Sequence, residues 1–125
     1  MKEIFSKNAP NPIGPYSQAV KHGNMIFISG QIAIDSITKE IKNDNIINET
    51  TLVMENIKSI LKELRCDMNT IVKCSIFLSD MKYFKAVNEI YGKYFTKPFP
   101  ARETIAVKNL PKDVNVEISA IAICN

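Results

Sequence analysis

The 125-residue sequence is short of the residue types from which metal centres are built. It contains one histidine, His22, and three cysteines, Cys66, Cys74 and Cys124, with no C-x-x-C pair. A zinc site takes about four clustered nitrogen or sulfur ligands, so metal binding by this set is disfavoured. We expect the three cysteines to be free thiols in a reducing compartment.

Two further absences bear on partners. No apolar stretch approaches the roughly 20 residues of a membrane span, and no apolar run follows a basic N-terminus. We therefore expect a cytoplasmic protein without a membrane partner. The net charge of +3 comes from scattered lysines rather than a block of like charges, which favours a solvated surface over a nucleic-acid-binding one.

The composition and length indicate one ordinary globular domain over residues 1–125. Hydrophobic residues make up 46% of the chain and charged residues 23%. A domain of this length buries roughly two-thirds of the surface that its unfolded chain exposes, which is enough for one core.

The first third of the chain predicts strands. Prolines and Gly14 give residues 8–15 a loop of defined shape after a short strand near Ile4 and Phe5. Residues 17–21 and 25–29 read as two strands of a hairpin whose turn contains Gly23. His22 lies at this turn, so we interpret it as a solvated residue rather than a catalytic one.

Apolar periodicity predicts two helices and three more strands. The first helix spans 49–65, with Asn48 or Thr50 as its cap, and a strand follows over 71–78. Asp80 is the predicted cap of the second helix, which ends before the prolines at 98 and 100. Its apolar stripe carries Asn88, an amide that needs partners when buried. Two strands, 102–108 and 116–123, complete the order β-β-β-α-β-α-β-β.

This order predicts an α+β fold in which one mixed sheet carries two helices on one face. The last strand is apolar on both sides, with Ile118, Ala120 and Ala122 alternating with Ile121 and Ile123. A strand that is apolar on both faces has to be covered on both. Because no third helix is available, we expect self-association to provide the cover.

The last two predicted strands each contain a charged residue at a position where an apolar residue is expected. Arg102 shares a strand face with Thr104 and Ala106, and Glu117 shares one with Ser119 and Ile121. Arginine can bind a carboxylate through two parallel hydrogen bonds. From spacing alone, however, pairing of Arg102 with Glu117 or with solvent at the sheet edge is favoured over a ligand site.

Other polar groups beside the predicted strands favour a ligand site over simple pairing or solvation of Arg102. Tyr16 lies in GPYSQAV (residues 14–20), and Ser29 and Gly30 lie in FISGQIAID (residues 27–35). The hydroxyls are donors and acceptors, and glycine permits close approach of a ligand to the main chain.

Five stretches together carry a family resemblance that spans nearly the whole chain: NAPNPIGPYSQAV (8–20), GNMIFISGQIAID (23–35), VNEIYGKYF (87–95), FPARETIAV (99–107) and LPKDVNVEISAIA (110–122). In order and spacing they resemble the Rid family of reactive-intermediate deaminases, also called the YjgF family. The resemblance implies a chorismate-mutase-like α+β fold. It also implies a homotrimer whose ligand clefts lie between subunits.

The resemblance further implies hydrolysis of 2-imino acids, released by pyridoxal-phosphate enzymes, to 2-oxo acids and ammonia. No metal or organic cofactor is implied. Arg102 matches the arginine that binds the substrate carboxylate, and Glu117 matches the acid that positions water. The remaining residues that match the cleft or its support are Tyr16, Ser29, Gly30 and Asn88.

One position departs from the family pattern. Thr104 stands where many members carry a cysteine, so chemistry that needs a thiol there is excluded. Thr104 can still donate hydrogen bonds to a carboxylate through its N–H and its hydroxyl. Two alternatives stay open: a non-catalytic trimer that binds small carboxylates, and, less favoured, an endoribonuclease or translation inhibitor.

Overall fold

The computed structural model describes residues 1–125 and contains the predicted order of strands and helices. The strands are β1 (Lys2–Ile4), β2 (Ala19–His22), β3 (Met25–Gln31), β4 (Ile71–Leu78), β5 (Ala101–Ala106) and β6 (Val116–Ile123). The helices are α1 (Ile46–Lys62) and α2 (Phe84–Gly92). Short 3-10 turns precede β4, α2 and β6.

The six strands form one sheet in the order β1-β2-β3-β6-β4-β5. Only β4 and β5 are parallel, since α2 carries the chain back between them, and the other neighbours are antiparallel. The prediction of a mixed α+β sheet is therefore confirmed.

One face of the sheet packs on the helices and forms the core. On β4 this face carries Cys74, Ile76 and Leu78, which align with Ala120, Ile118 and Val116 of β6. The apolar stripe of α1 covers them with five fully buried side chains: Val53, Met54, Ile57, Ile60 and Leu61.

The opposite face carries no helix. Its large apolar side chains are well exposed in the single chain: Phe27 (40%), Ile105 (47%) and Ile123 (44%). The expectation of an uncovered apolar face is therefore confirmed.

The predicted start of α1 is wrong by three residues. The helix begins at Ile46, and its cap is Asn45, whose side chain accepts a 2.8 Å hydrogen bond from the Asn48 N–H. The predicted caps Asn48 and Thr50 both lie inside the helix. Asp80 does act as a cap, but of the 3-10 turn that leads into α2.

The cysteines correct a second expectation. Cys66 and Cys124 form a disulfide, with Cα atoms 6.3 Å apart, across 58 residues of sequence. Because β6 runs antiparallel to β4, the end of β6 returns to the start of β4, next to the turn that holds Cys66. Cys74 is the one free thiol, and it is buried in the core. No helix is both long and apolar enough to span a bilayer.

Candidate functional site: two clefts on opposite faces of one sheet

Arg102 lies on β5, the edge strand, and its side chain is on the helix side of the sheet. Its register partner on β4 is Cys74, which points into the core. The guanidinium carbon lies 4.9 Å from the Tyr91 ring centroid and 5.8 Å from that of Phe84. The ion pairs of the chain are Lys42–Glu40 and Lys73–Glu103, so Arg102 has no acidic partner.

A cleft between α2 and the start of β5 surrounds this guanidinium. Besides Arg102, its lining residues are Asn88, Tyr91, Gly92, Phe99 and Pro100. The two prolines predicted to end the second helix lie in the segment that carries the chain from α2 to β5. The cleft is therefore walled by one face of α2 and by this proline-containing segment.

Three buried side-chain oxygens around Arg102 have no hydrogen-bond partner within the chain. They are Asn88 Oδ1, Tyr91 Oη and Thr104 Oγ1. Asn88 and Tyr91 line the cleft with Arg102, and Thr104 follows two residues later on the same face of β5. Buried polar atoms are nearly always paired in folded proteins, so a cluster of exceptions indicates a place for another polar partner.

The groups nearest Arg102 carry no competing negative charge. Burial raises the pKa of the Cys74 thiol to about 11, and burial also raises the pKa of the Tyr91 phenol. Both are therefore neutral near pH 7. The guanidinium therefore has no neighbouring anion on the helix side and is open to an anion from outside the chain.

Glu117 occupies the opposite face of the sheet, near the start of β6. Its register partner Phe77 lies between Ile76 and Leu78, whose side chains point into the core, so Phe77 and Glu117 face the open side. Glu117 is half-buried, and this desolvation raises the pKa of its carboxyl above the usual 4.5. Like Arg102, it has no partner of opposite charge.

The carboxylate of Glu117 lies directly over Gly30. A Cβ atom at this position would be 2.5 Å from Glu117 Oε2 and 2.8 Å from Cδ. The pairing of β3 with β6 is irregular between Ile28 and Gln31, so the strand departs from regular geometry at this place. Glycine is needed here because any side chain would displace the acid.

A second cleft opens beside Glu117, and its lining includes Ile13, Tyr16, Ser29, Gly30 and Pro111. The Ile13 N–H donates a 3.2 Å hydrogen bond to Tyr16 Oη, which leaves the phenol proton free to donate. Ser29 Oγ instead donates to the Ser17 carbonyl at 2.6 Å, which ties β3 to the loop before β2. Tyr16 can therefore contact a ligand, while Ser29 supports the wall.

Buried Gln18 fixes the proline-containing loop that forms this wall. Its carbonyl oxygen accepts a 2.7 Å hydrogen bond from the Ser6 N–H, and its amide donates to the Pro10 carbonyl at 2.8 Å. The loop of defined shape predicted from the prolines is thus held by one side chain that the sequence had not singled out.

Glu49 is a further residue that the sequence analysis missed. It is fully buried in the first turn of α1 and accepts hydrogen bonds from Asn115 N (2.7 Å), Asn115 Nδ2 (2.9 Å) and Val116 N (3.1 Å). These contacts fix the backbone immediately before Glu117. A signal was available, since Glu49 lies on the same helical stripe as Val53 and Ile57, where an acid is out of place.

The predicted site residues therefore fall into two groups that do not meet within one chain. Asn88, Arg102 and Thr104 belong to the helix side, whereas Tyr16, Ser29, Gly30 and Glu117 belong to the open side. Across the sheet, Arg102 of β5 aligns with Cys74 of β4, which aligns with Ala120 of β6. Arg102 is therefore two strands away from the strand of Glu117, and Glu117 lies three residues before Ala120. Of the interpretation that spacing alone favoured, pairing with each other or with solvent, the pairing of Arg102 with Glu117 is wrong.

No group of three or more His, Cys, Asp or Glu side chains is placed to hold a metal ion. The arrangement is instead that of a small α+β protein with a cationic cleft on one face of its sheet and an acidic cleft on the other.

Comparison with known proteins agrees with this class. The family model described as Endoribonuclease L-PSP matches residues 6–124. A RutC family protein of Pyrococcus horikoshii is 51% identical over 123 residues, covering 98% of each chain. Among solved structures, E. coli TdcF with bound serine superposes with a TM-score of 0.94 at 37% identity, covering 100% of both chains. RidA from Psychrobacter sp. also gives 0.94, at 36% identity, covering 98% of this chain and 99% of that one.

The chain belongs to the Endoribonuclease L-PSP family, that is, the YjgF/Rid family. The resemblance noted in the sequence and the fold expected from it are thereby confirmed.

Proposed function

We propose that this protein is a 2-iminobutanoate/2-iminopropanoate deaminase, which hydrolyses reactive 2-imino acids to 2-oxo acids and ammonia. In this proposal the protein is a homotrimer, and each site combines the Arg102 cleft of one copy with the Glu117 cleft of a neighbour. One observation carries the proposal: two unpaired charges of opposite sign line separate clefts on opposite faces of the sheet.

Arg102 would bind the substrate carboxylate. Its guanidinium is free of internal partners, and charge-assisted hydrogen bonds of this kind contribute roughly 1.5–3 kcal/mol each. The crystal structure of the TdcF relative contains serine, which likewise has a carboxylate and a nitrogen on its central carbon. Asn88 Oδ1 and Thr104 Oγ1, which lack partners in the chain, lie where they could complete the polar wall.

Glu117 would act on water. The imine carbon is already electrophilic, so the main requirements are a fixed substrate, a positioned water and control of protons. Glu117 takes a proton from water as the oxygen bonds to C2, and the C=N double bond becomes a single bond. Glu117 then returns that proton to the nitrogen. A second proton passes from the new hydroxyl to the nitrogen, the C–N bond breaks, and ammonia leaves as the hydroxyl oxygen becomes the carbonyl of the 2-oxo acid. The raised pKa of Glu117 suits both steps, because a base works best when its pKa approaches the working pH.

The alternative of carboxylate binding without turnover shares the Arg102 cleft but assigns no chemistry to Glu117. The family description also names an endoribonuclease. Neither cleft is lined by histidine, and His22 lies at the exposed β2–β3 turn. We therefore place imine hydrolysis first.

The test generates 2-iminopropanoate in solution and follows its loss in competition with capture by semicarbazide. Wild type should accelerate the loss, and Glu117→Gln should reduce kcat by roughly 10²–10⁴-fold, the usual contribution of a general base. Arg102→Ala should mainly raise KM. Glu55→Gln is the matched control, because it neutralises an exposed acid on α1 outside both clefts.

The outcomes separate the candidates. No acceleration by wild type, with tight binding of a 2-oxo acid, would support the non-catalytic alternative. Equal values of kcat/KM for wild type and Arg102→Ala would contradict the proposal.

A further inference from the structure

The guanidinium of Arg102 has no hydrogen-bonding or ionic contact that could orient it. No carboxylate lies within ion-pair distance, and no side-chain hydrogen bond holds it. It also projects from the edge strand, where neighbouring backbone on the far side is absent. A long, flexible side chain in this position loses conformational entropy whenever it binds a ligand.

Two aromatic rings of α2 provide the missing support. The guanidinium carbon lies 4.9 Å from the centroid of Tyr91 and 5.8 Å from that of Phe84, both within the range of cation–π attraction. Phe84 is the first residue of α2 and Tyr91 lies seven residues on, so both belong to one helical stripe. An arginine stacked on rings keeps all of its N–H donors free, because stacking uses the faces of the planar group.

Tyr91 is the more deeply buried of the two rings. It is 5% exposed and packs against Phe95, with ring centroids 4.7 Å apart and planes tilted by 48°. Its hydroxyl is buried beside the Cys74 thiol and lacks a well-formed hydrogen bond within the chain. The Arg102 guanidinium lies over the ring of Tyr91.

We propose that Tyr91 and Phe84 form an aromatic platform that pre-orients Arg102 for carboxylate binding. They are positioning residues, which act on the ligand through the guanidinium. This inference rests on the function proposed above, since it assigns the support of the same carboxylate anchor. Its physical basis is that a pre-oriented arginine has already lost part of its conformational freedom before the ligand arrives.

The experiment measures binding of 2-oxobutanoate by calorimetry and steady-state imine hydrolysis for a matched set of variants. Tyr91→Leu removes the ring, and Tyr91→Phe keeps the ring and removes only the unpaired hydroxyl. Phe84→Leu removes the second ring from a half-buried site, so it provides a test even where Tyr91→Leu does not fold. Tyr94→Leu makes the same change outside the cleft, at a tyrosine that instead donates to Glu55.

Tyr91→Leu should weaken 2-oxobutanoate binding and raise KM by about 5–30-fold, and Phe84→Leu by about 2–5-fold, following the strength of cation–π contacts. The value of kcat should change much less, because Glu117 is untouched. Tyr91→Phe should restore affinity to within about 3-fold of wild type, since the ring face is retained. Tyr94→Leu should bind as wild type does.

Other results would overturn the platform or the function separately. If wild type binds 2-oxobutanoate and both leucine variants bind equally well, the platform is wrong while the proposed function stands. If Tyr91→Phe loses as much affinity as Tyr91→Leu, the hydroxyl acts instead of the ring. If wild type neither binds 2-oxobutanoate nor hydrolyses the imine, the proposed function fails.

Discussion

Subunit complementation gives the sharpest prediction from the placement of the two charges. Arg102 and Glu117 lie on opposite faces of one sheet, two strands and three register positions apart. Strands are about 4.8 Å apart and residues about 3.3 Å along a strand, so the two Cα atoms are separated by about 14 Å with the sheet between the side chains. One small substrate cannot contact both residues of the same chain.

The perturbation is to unfold Arg102→Ala and Glu117→Gln proteins together and refold them as an equal mixture. At substrate concentrations below the wild-type KM, each homogeneous variant should be nearly inactive, because Arg102→Ala raises KM and Glu117→Gln lowers kcat. In a randomly mixed ring, a site works only when the copy supplying arginine and the neighbour supplying glutamate are both intact there, which gives about one quarter of the wild-type activity. This fraction does not depend on the number of subunits in the ring.

The assay is the semicarbazide competition, with each variant refolded alone as the baseline. A matched control mixes wild type with the double variant Arg102→Ala/Glu117→Gln. If sites lie between copies, this control also gives about one quarter of wild-type activity, whereas sites within one chain would give about one half. A complementing mixture no more active than its separate components would refute the placement of the site between copies.

Four further predictions concern Glu117 and the residues that support it. Glu49→Gln should lower the free energy of unfolding by about 2–4 kcal/mol, because the part-buried Asn115 N–H and the buried Val116 N–H lose a charged acceptor. Glu55→Gln should change it by less than about 1 kcal/mol in urea unfolding. Gly30→Ala should displace the Glu117 carboxylate and reduce kcat by at least about 10-fold with little change in KM, as a misplacement of about 1 Å can do. The raised pKa of Glu117 means that its protonated form is favoured in the fold, so its contribution to stability is present at acid pH and falls as pH rises through the folded pKa. The rate of imine hydrolysis should rise through that same pKa, above 4.5, and a pH–rate profile in which Glu117→Gln retains this limb would contradict the assignment.

The sequence predicted those features that depend on local pattern. The strand at Ile71–Leu78 was correct at both ends because its β-branched run is bounded by clear breaks. The start of α1 was missed because Asn45 and Asn48 are both suitable caps, and only the folded backbone shows which side chain accepts the N–H. The same limit applies to any cap chosen from residue type alone.

Local sequence patterns could not predict the features that depend on pairing between strands that are distant in sequence. Alternation showed that Arg102 shares a face with Thr104, but the face could be assigned only from the register with Cys74. Family resemblance named the site residues without showing that they fall on two sides of the sheet. The Cys66–Cys124 pair was missed for the same reason, since an antiparallel return across 58 residues brings the two together.

If the protein is the proposed homotrimer, the exposed face of the sheet means that separation of its copies would have two effects at once. Phe27, Ile105 and Ile123 are exposed in the single chain, on the side that bears Glu117. Copies that separate would lose the composite site and, in the same event, present a broad apolar surface to the surroundings. Diluting the protein should therefore make an environment-sensitive hydrophobic dye brighter in step with the loss of activity. A free chain would also expose this surface to other apolar surfaces, so the proposed assembly would limit nonspecific association as well as loss of activity.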